Sequence, residues 1–116
     1  MRQNALLERS LDFAVRIVKL HQFLTGKQRE FTLSGQVLRS GTSIGANIQE
    51  ANYAQSKADF ISKLHIALKE TAETEYWLLV LQRSGYLGDR GDSLLTDCRE
   101  LKKLLISSLN TAKSSR

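Results

Sequence analysis

Two stripes of opposite character run side by side through residues 39–78, RSGTSIGANIQEANYAQSKADFISKLHIALKETAETEYWL, and they constrain the fold more than any other feature of the chain. Residues three or four apart share a helix face. Val37, Gly41, Ile44, Ile48 and Ala51 therefore form one apolar stripe, and Arg39, Ser43, Asn47 and Glu50 line its flank. The next helical stretch answers with Phe60, Leu64, Ala67, Thr71 and Leu78, and the same projection sets Glu75 inside that stripe, between Leu68 and Leu78. A carboxylate beside a core needs a partner. A guanidinium satisfies one through two parallel N–H groups, so Arg39 is expected to pair with Glu75 in a buried polar network, shared with Ser43, Asn47 and Glu50, that fixes the register of two helices.

The flanking segments carry the same helical period. A first helix over about 5–24 has Leu6, Phe13, Ile17, Leu20 and Leu24 inward, Asn4 as N-cap and Gly26 as a left-handed stop. The second spans 33–52 although it holds Gly35, Gly41 and Gly45, and two interior glycines four apart imply a close approach by a neighbouring element. A third, 57–84, opens with Ser56 and Asp59 as a capping pair and ends at Ser84 and Gly85. The fourth, 93–109, sets Leu94, Cys98, Leu101, Leu105 and Leu109 inward and leaves a polar tail. With no proline in 116 residues and turns this short, the chain reads as one all-α domain, 1–116, an antiparallel up-down-up-down four-helix bundle.

The third helix has a second stripe. Ile66, Trp77 and Val80, with Glu70 and Glu73 between them, lie away from Phe60 and Leu64, and a tryptophan there reads as a subunit contact. Ile66, Glu70, Trp77 and Val80 are thus the expected oligomer interface.

Charge is unevenly spread within a net +5 and a pI near 9.6. The excess sits in the first and last segments, and the central pair of helices is neutral. Arg9, Arg16 and Lys19 on the first helix and Arg99, Lys102 and Lys103 on the fourth are the expected phosphate contacts for RNA or DNA, without interleaved aromatics that would stack bases. A structural scaffold whose positive charge serves only solubility is the competing reading.

No constellation of residues supports an enzyme. Ser43 has no histidine near it in sequence, and two histidines, His21 and His65, with one cysteine lack zinc-ligand spacing, so neither metal nor cofactor is expected. GTSIGAN lacks the lysine of a phosphate loop, and Arg90-Gly91-Asp92 reads as turn and cap residues. The charged N-terminus and the short apolar runs give no export signal or membrane span. A lone inward Cys98 suits a reducing, cytoplasmic setting.

The run LRSGTSIGANIQEA, followed by SKADFISKLHIALKE and ETEYWL, resembles the four-helix-bundle proteins encoded in intervening sequences of bacterial 23S rRNA genes. The family motif maps onto Arg39, Ser43, Asn47 and Glu50 and onto Glu70, Glu75 and Trp77. Gly45 stands where many members carry proline. Relatives of that family include the accessory protein of diversity-generating retroelements. The resemblance therefore implies a homopentamer that binds nucleic acid and has a reverse transcriptase as possible partner.

Overall fold

The computed structural model describes residues 2–114, with side chains from residue 5 onward. Four helices follow one another: α1 (Arg2–Gly26), α2 (Thr32–Asn52), α3 (Lys57–Arg83) and α4 (Arg90–Ser114). Each packs on its neighbours in sequence and α1 closes on α4, giving the expected four-helix bundle, 49 × 21 × 20 Å. The connections α1–α2 and α3–α4 share one end of the bundle. The Tyr53–Ser56 turn lies at the other.

The helix boundaries follow from local chemistry. Ser56 accepts a hydrogen bond from the Asp59 N–H at 3.1 Å, the capping start expected for α3. That helix stops in a Schellman motif: Tyr86 N–H reaches Leu81 O at 3.0 Å, Gly85 N–H reaches Gln82 O at 3.1 Å, and Gly85 takes φ +86°. The start of α2 uses a residue outside the helix. Both Glu30 carboxylate oxygens accept backbone N–H groups, from Ser34 at 2.7 Å and Leu33 at 2.9 Å, which satisfies two orphan donors at the positive helix end. Gly26 is not the left-handed residue expected after α1. Arg29 takes that conformation, at φ 57°. Beyond Asn4, which lies within α1 and does not cap it, that helix reaches back to Arg2, and α4 continues to Ser114 because no glycine or proline interrupts residues 111–114. The last two residues of the expected tail lie outside the described ones.

The two glycines four apart mark a tight seam. A Cβ built on Gly41 would sit 2.9 Å from both Cγ atoms of Ile17, and one on Gly45 would sit 3.1 Å from Ser10 Oγ. Helix α2 runs unbroken through both. The core beneath comprises the expected inward residues, with Leu81, Leu95 and the loop residue Leu87 added. Phe60 is only half-buried at its margin. The polar groups inside it are hydroxyls: Ser40 and Thr74 share a 2.8 Å hydrogen bond between α2 and α3, and Thr71 donates to Ala67 O at 2.8 Å.

Candidate functional site

The polar edge of α2 faces α3, and its partners differ from those expected. Arg39 does not pair with Glu75. Its guanidinium reaches Glu70 Oε1 at 3.2 Å and also Glu73 Oε2, and its side chain is 49% exposed. Glu73 in turn accepts the Trp77 indole N–H at 2.9 Å. Ser43 and Asn47 bond back into their own helix, to the Arg39 carbonyl at 2.7 Å and the Ser43 carbonyl at 2.9 Å. Glu50 is exposed and pairs with Lys63 at 2.9 Å, which raises the lysine pKa. What was expected as one buried network is thus a half-exposed seam of separate contacts. The physical reason is angular: Glu70, Glu73 and Trp77 are i, i+3 and i+7 and share the α2-facing edge of α3, whereas Glu75 is rotated toward α4.

On that other edge Glu75 is held by Lys102 Nζ at 2.6 Å and Arg99 Nε at 2.7 Å, with its side chain 16% exposed. Lys102 first, then Arg99, pull its carboxyl below the ordinary range. Two of the six expected phosphate contacts are therefore committed to a carboxylate. Two more are committed between α1 and α4, where Arg16 bonds Asp97 at 2.5 Å and Arg9 bonds Glu100 at 3.3 Å. Only Lys19 and Lys103 of the six have no carboxylate partner among the described residues.

Ile66, Glu70, Trp77 and Val80 all lie half-buried along the α3 edge nearest α2, with Glu70 engaged by Arg39. The more exposed apolar row is elsewhere. Leu11, Val15 and Val18 stand 55%, 49% and 40% exposed on α1, continuing the half-buried Leu7 and Ala14. Beside them, Gly45 and Ala46 of α2 leave a shallow groove of about 320 Å³, lined by no charged residue. The i, i+4, i+8, i+11 spacing of Leu7, Leu11, Val15 and Val18 is present in the sequence, overshadowed by the stronger stripe of Leu6, Phe13 and Ile17.

Sequence reasoning also missed the loop end of the bundle. Arg90 opens α4 and lays its guanidinium over the Phe23 ring at 3.8 Å, and Arg29 lies over the exposed Phe31 ring at 5.6 Å. Arg16, Lys19 and Arg90 surround a cleft floored by Leu20, Phe23 and Leu94, about 340 Å³ in volume. Arg90-Gly91-Asp92 is thus the first turn of a helix, with Gly91 buried.

Reactive groups are quenched. Burial pushes the Cys98 thiol up to about 12, and its S–H points at the Thr71 carbonyl, 3.4 Å away. His21 is half-buried with Nδ1 3.3 Å from Ser34 O, and His65 is exposed. Among the described residues no group of three or more His, Cys, Asp or Glu could hold a metal ion, and no helix is long and apolar enough to cross a membrane.

The architecture is that of an all-α four-helix-bundle protein. More narrowly, the chain belongs to the 23S rRNA-intervening sequence protein family, whose model matches residues 2–107. It is similar to a protein of unknown function from the S23 ribosomal protein family of Bacteroides thetaiotaomicron VPI-5482, with a crystal structure at 1.70 Å. The two share 56% identity and a TM-score of 0.93 over 95% of this chain and 99% of that one. No curated protein matches the chain.

Proposed function

We propose that the chain is a non-enzymatic, cytoplasmic accessory protein that assembles with copies of itself and carries RNA or DNA on the basic surface of the assembly. The observation that carries the reading is the row Leu11, Val15 and Val18, three large apolar side chains in sequence register on one outer face beside an uncharged groove. Scattered exposed leucines are ordinary. A contiguous row beside a groove is the mark of a contact surface. A ring closes through a heterologous interface, so the α1 row of one copy meets a different face of the next, and the half-buried Ile66, Trp77 and Val80 edge is the expected counterpart. The resemblance sets the number at five, and it offers a reverse transcriptase as the protein partner.

The scaffold reading has one observation in its favour: Arg9, Arg16, Arg99 and Lys102 are spent on carboxylates within the subunit. Light scattering tests the assembly. Five chains of 13.1 kDa give a mass of about 65 kDa. Leu11→Asp with Val15→Asp is expected to give a folded monomer, because both side chains are about half exposed within the subunit. A wild-type monomer at micromolar concentration overturns the assembly, and an intact oligomer in the double variant removes the α1 row from the contact.

A further inference from the structure

The charge that the sequence places along the bundle is largely cancelled there, and most of what survives collects at one end. Lys19, Lys27, Arg29, Arg83 and Arg90 all lie at or near the α1–α2 and α3–α4 connections, and none has a carboxylate partner among the described residues. Of the carboxylates nearby, Glu30 caps α2, Asp97 holds Arg16 and Asp92 accepts the Gln82 amide. That leaves Asp89 as the uncommitted acid of this region. Two of the cations are paired with rings. Arg90 lies close over its ring, and its side-chain N–H donors meet no acceptor among the described residues. Phe31 is 59% exposed, so one side of its ring meets Arg29 and the rest is open to solvent.

We infer that this loop end is a binding platform for single-stranded nucleic acid. Phosphates seat against Lys19 and Arg90 in the cleft over Phe23, and an unpaired base stacks on Phe31. This rests on the nucleic-acid half of the function proposed above and gives it a place, on residues other than most of those the sequence suggests. The chemistry selects a single strand. A strand with splayed bases offers a phosphate and a π-face together, whereas a duplex keeps its bases stacked on one another and offers phosphates alone. Sequence preference should be slight, because every base has a ring to stack and phosphates carry no base information.

Fluorescence anisotropy on the full-length assembled protein tests it, with labelled oligothymidine, a labelled DNA duplex and labelled heparin as probes. Phe31→Ala is expected to weaken oligothymidine by about 5-fold or more, the loss of one stacked base, and to leave heparin unchanged because heparin has no bases. Lys19→Glu with Arg90→Glu should weaken both polyanions. Lys113→Glu, exposed at the opposite end of the bundle, should weaken neither by more than about 2-fold. If about three phosphates are neutralised on a single strand, affinity falls about 20-fold between 50 and 200 mM salt. Unchanged melting temperature and scattering mass keep a folding defect separate from a binding one. Phe31→Ala acting equally on heparin and oligothymidine, or on neither, overturns the platform while leaving polyanion binding in place, and so does duplex bound as tightly as single strand. Failure of all three probes at low salt overturns the nucleic-acid reading itself.

Discussion

Replacing Gly41 and Gly35 separately by alanine measures how tightly α1 is pressed against α2. Both are interior glycines of the same helix, and alanine gains up to about 1 kcal/mol at such a position through helix propensity. Around Gly35 nothing lies within 4 Å of the new methyl group, so that gain should be realised. At Gly41 the methyl would meet Ile17 Cγ1 and Cγ2 at 2.9 Å and Ile17 Cβ at 3.3 Å. The obstacle cannot swing aside, because Ile17 is fully buried and a β-branched side chain in a helix has essentially one rotamer. The helices must separate instead, and overpacking of this kind costs about 1–3 kcal/mol. The propensity gain is common to both variants, so the difference between them isolates the packing cost. At about 4 °C per kcal/mol for a chain of this size, Gly41→Ala should melt roughly 4–12 °C below Gly35→Ala. Circular dichroism melts at one fixed protein concentration make the comparison, since assembly raises apparent stability. Equal melting temperatures would mean that Gly41 marks no close approach, and the account of the glycine-rich helix would fail.

Three further measurements bear on the ion pairs. Arg39→Ala should cost on the order of 1 kcal/mol or less, because its partners lie in a half-exposed seam, against about 3–5 kcal/mol for breaking a buried pair. In a double-mutant cycle Arg39→Ala and Glu75→Ala should add to within about 0.5 kcal/mol, since they share no partner; coupling above about 1 kcal/mol would restore the buried pair. Glu75→Gln tests the other edge through pH. The folded carboxyl titrates below its ordinary value of 4.5, so its stabilisation is complete above that value and is lost as pH falls through the folded pKa. The wild type should therefore melt about 4 °C above Glu75→Gln at pH 7, a difference of about 1 kcal/mol, with the gap closing well below pH 4.5. A gap unchanged down to pH 2 would show that the charge contributes nothing.

The bundle was legible because a 3.6-residue period survives any local detail: Leu6, Phe13, Ile17, Leu20 and Leu24 are buried where their spacing places them. The helix cost of two glycines four apart pointed to the close seam at Gly41, and the spacing of Ser56 and Asp59 to the capping start of α3. It failed where two groups lie nearly on the border between faces. Glu75 sits between the core stripe and the α4 edge, and a few tens of degrees decide which helix it meets. A helix with two apolar stripes also defeats a rule that assigns one, which is how Leu11, Val15 and Val18 were passed over. Arg90 could not be placed at all from its neighbours in sequence, since its meaning comes from Phe23, contributed by another helix.

Antiparallel packing explains why the net charge is a poor map of the surface. Arg9 and Arg16 recur every seven residues along one edge of α1, and Glu100 and Asp97 run the opposite way along the facing edge of α4, so the long side of the bundle zips itself neutral. Arg99 and Lys102 meet Glu75 by the same logic across the next groove. The end that carries the α1–α2 and α3–α4 connections escapes because a connection has no antiparallel partner to face. In a closed ring every subunit points the same way along the symmetry axis, so the proposed pentamer would gather five loop ends on one rim and leave the other rim without them. Contacts too weak to hold a strand singly would then act at high effective concentration along that rim. In the proposed ring, assembly and nucleic-acid affinity would be one property of the chain: the uncharged α1 row would set how many cationic ends a single strand can reach.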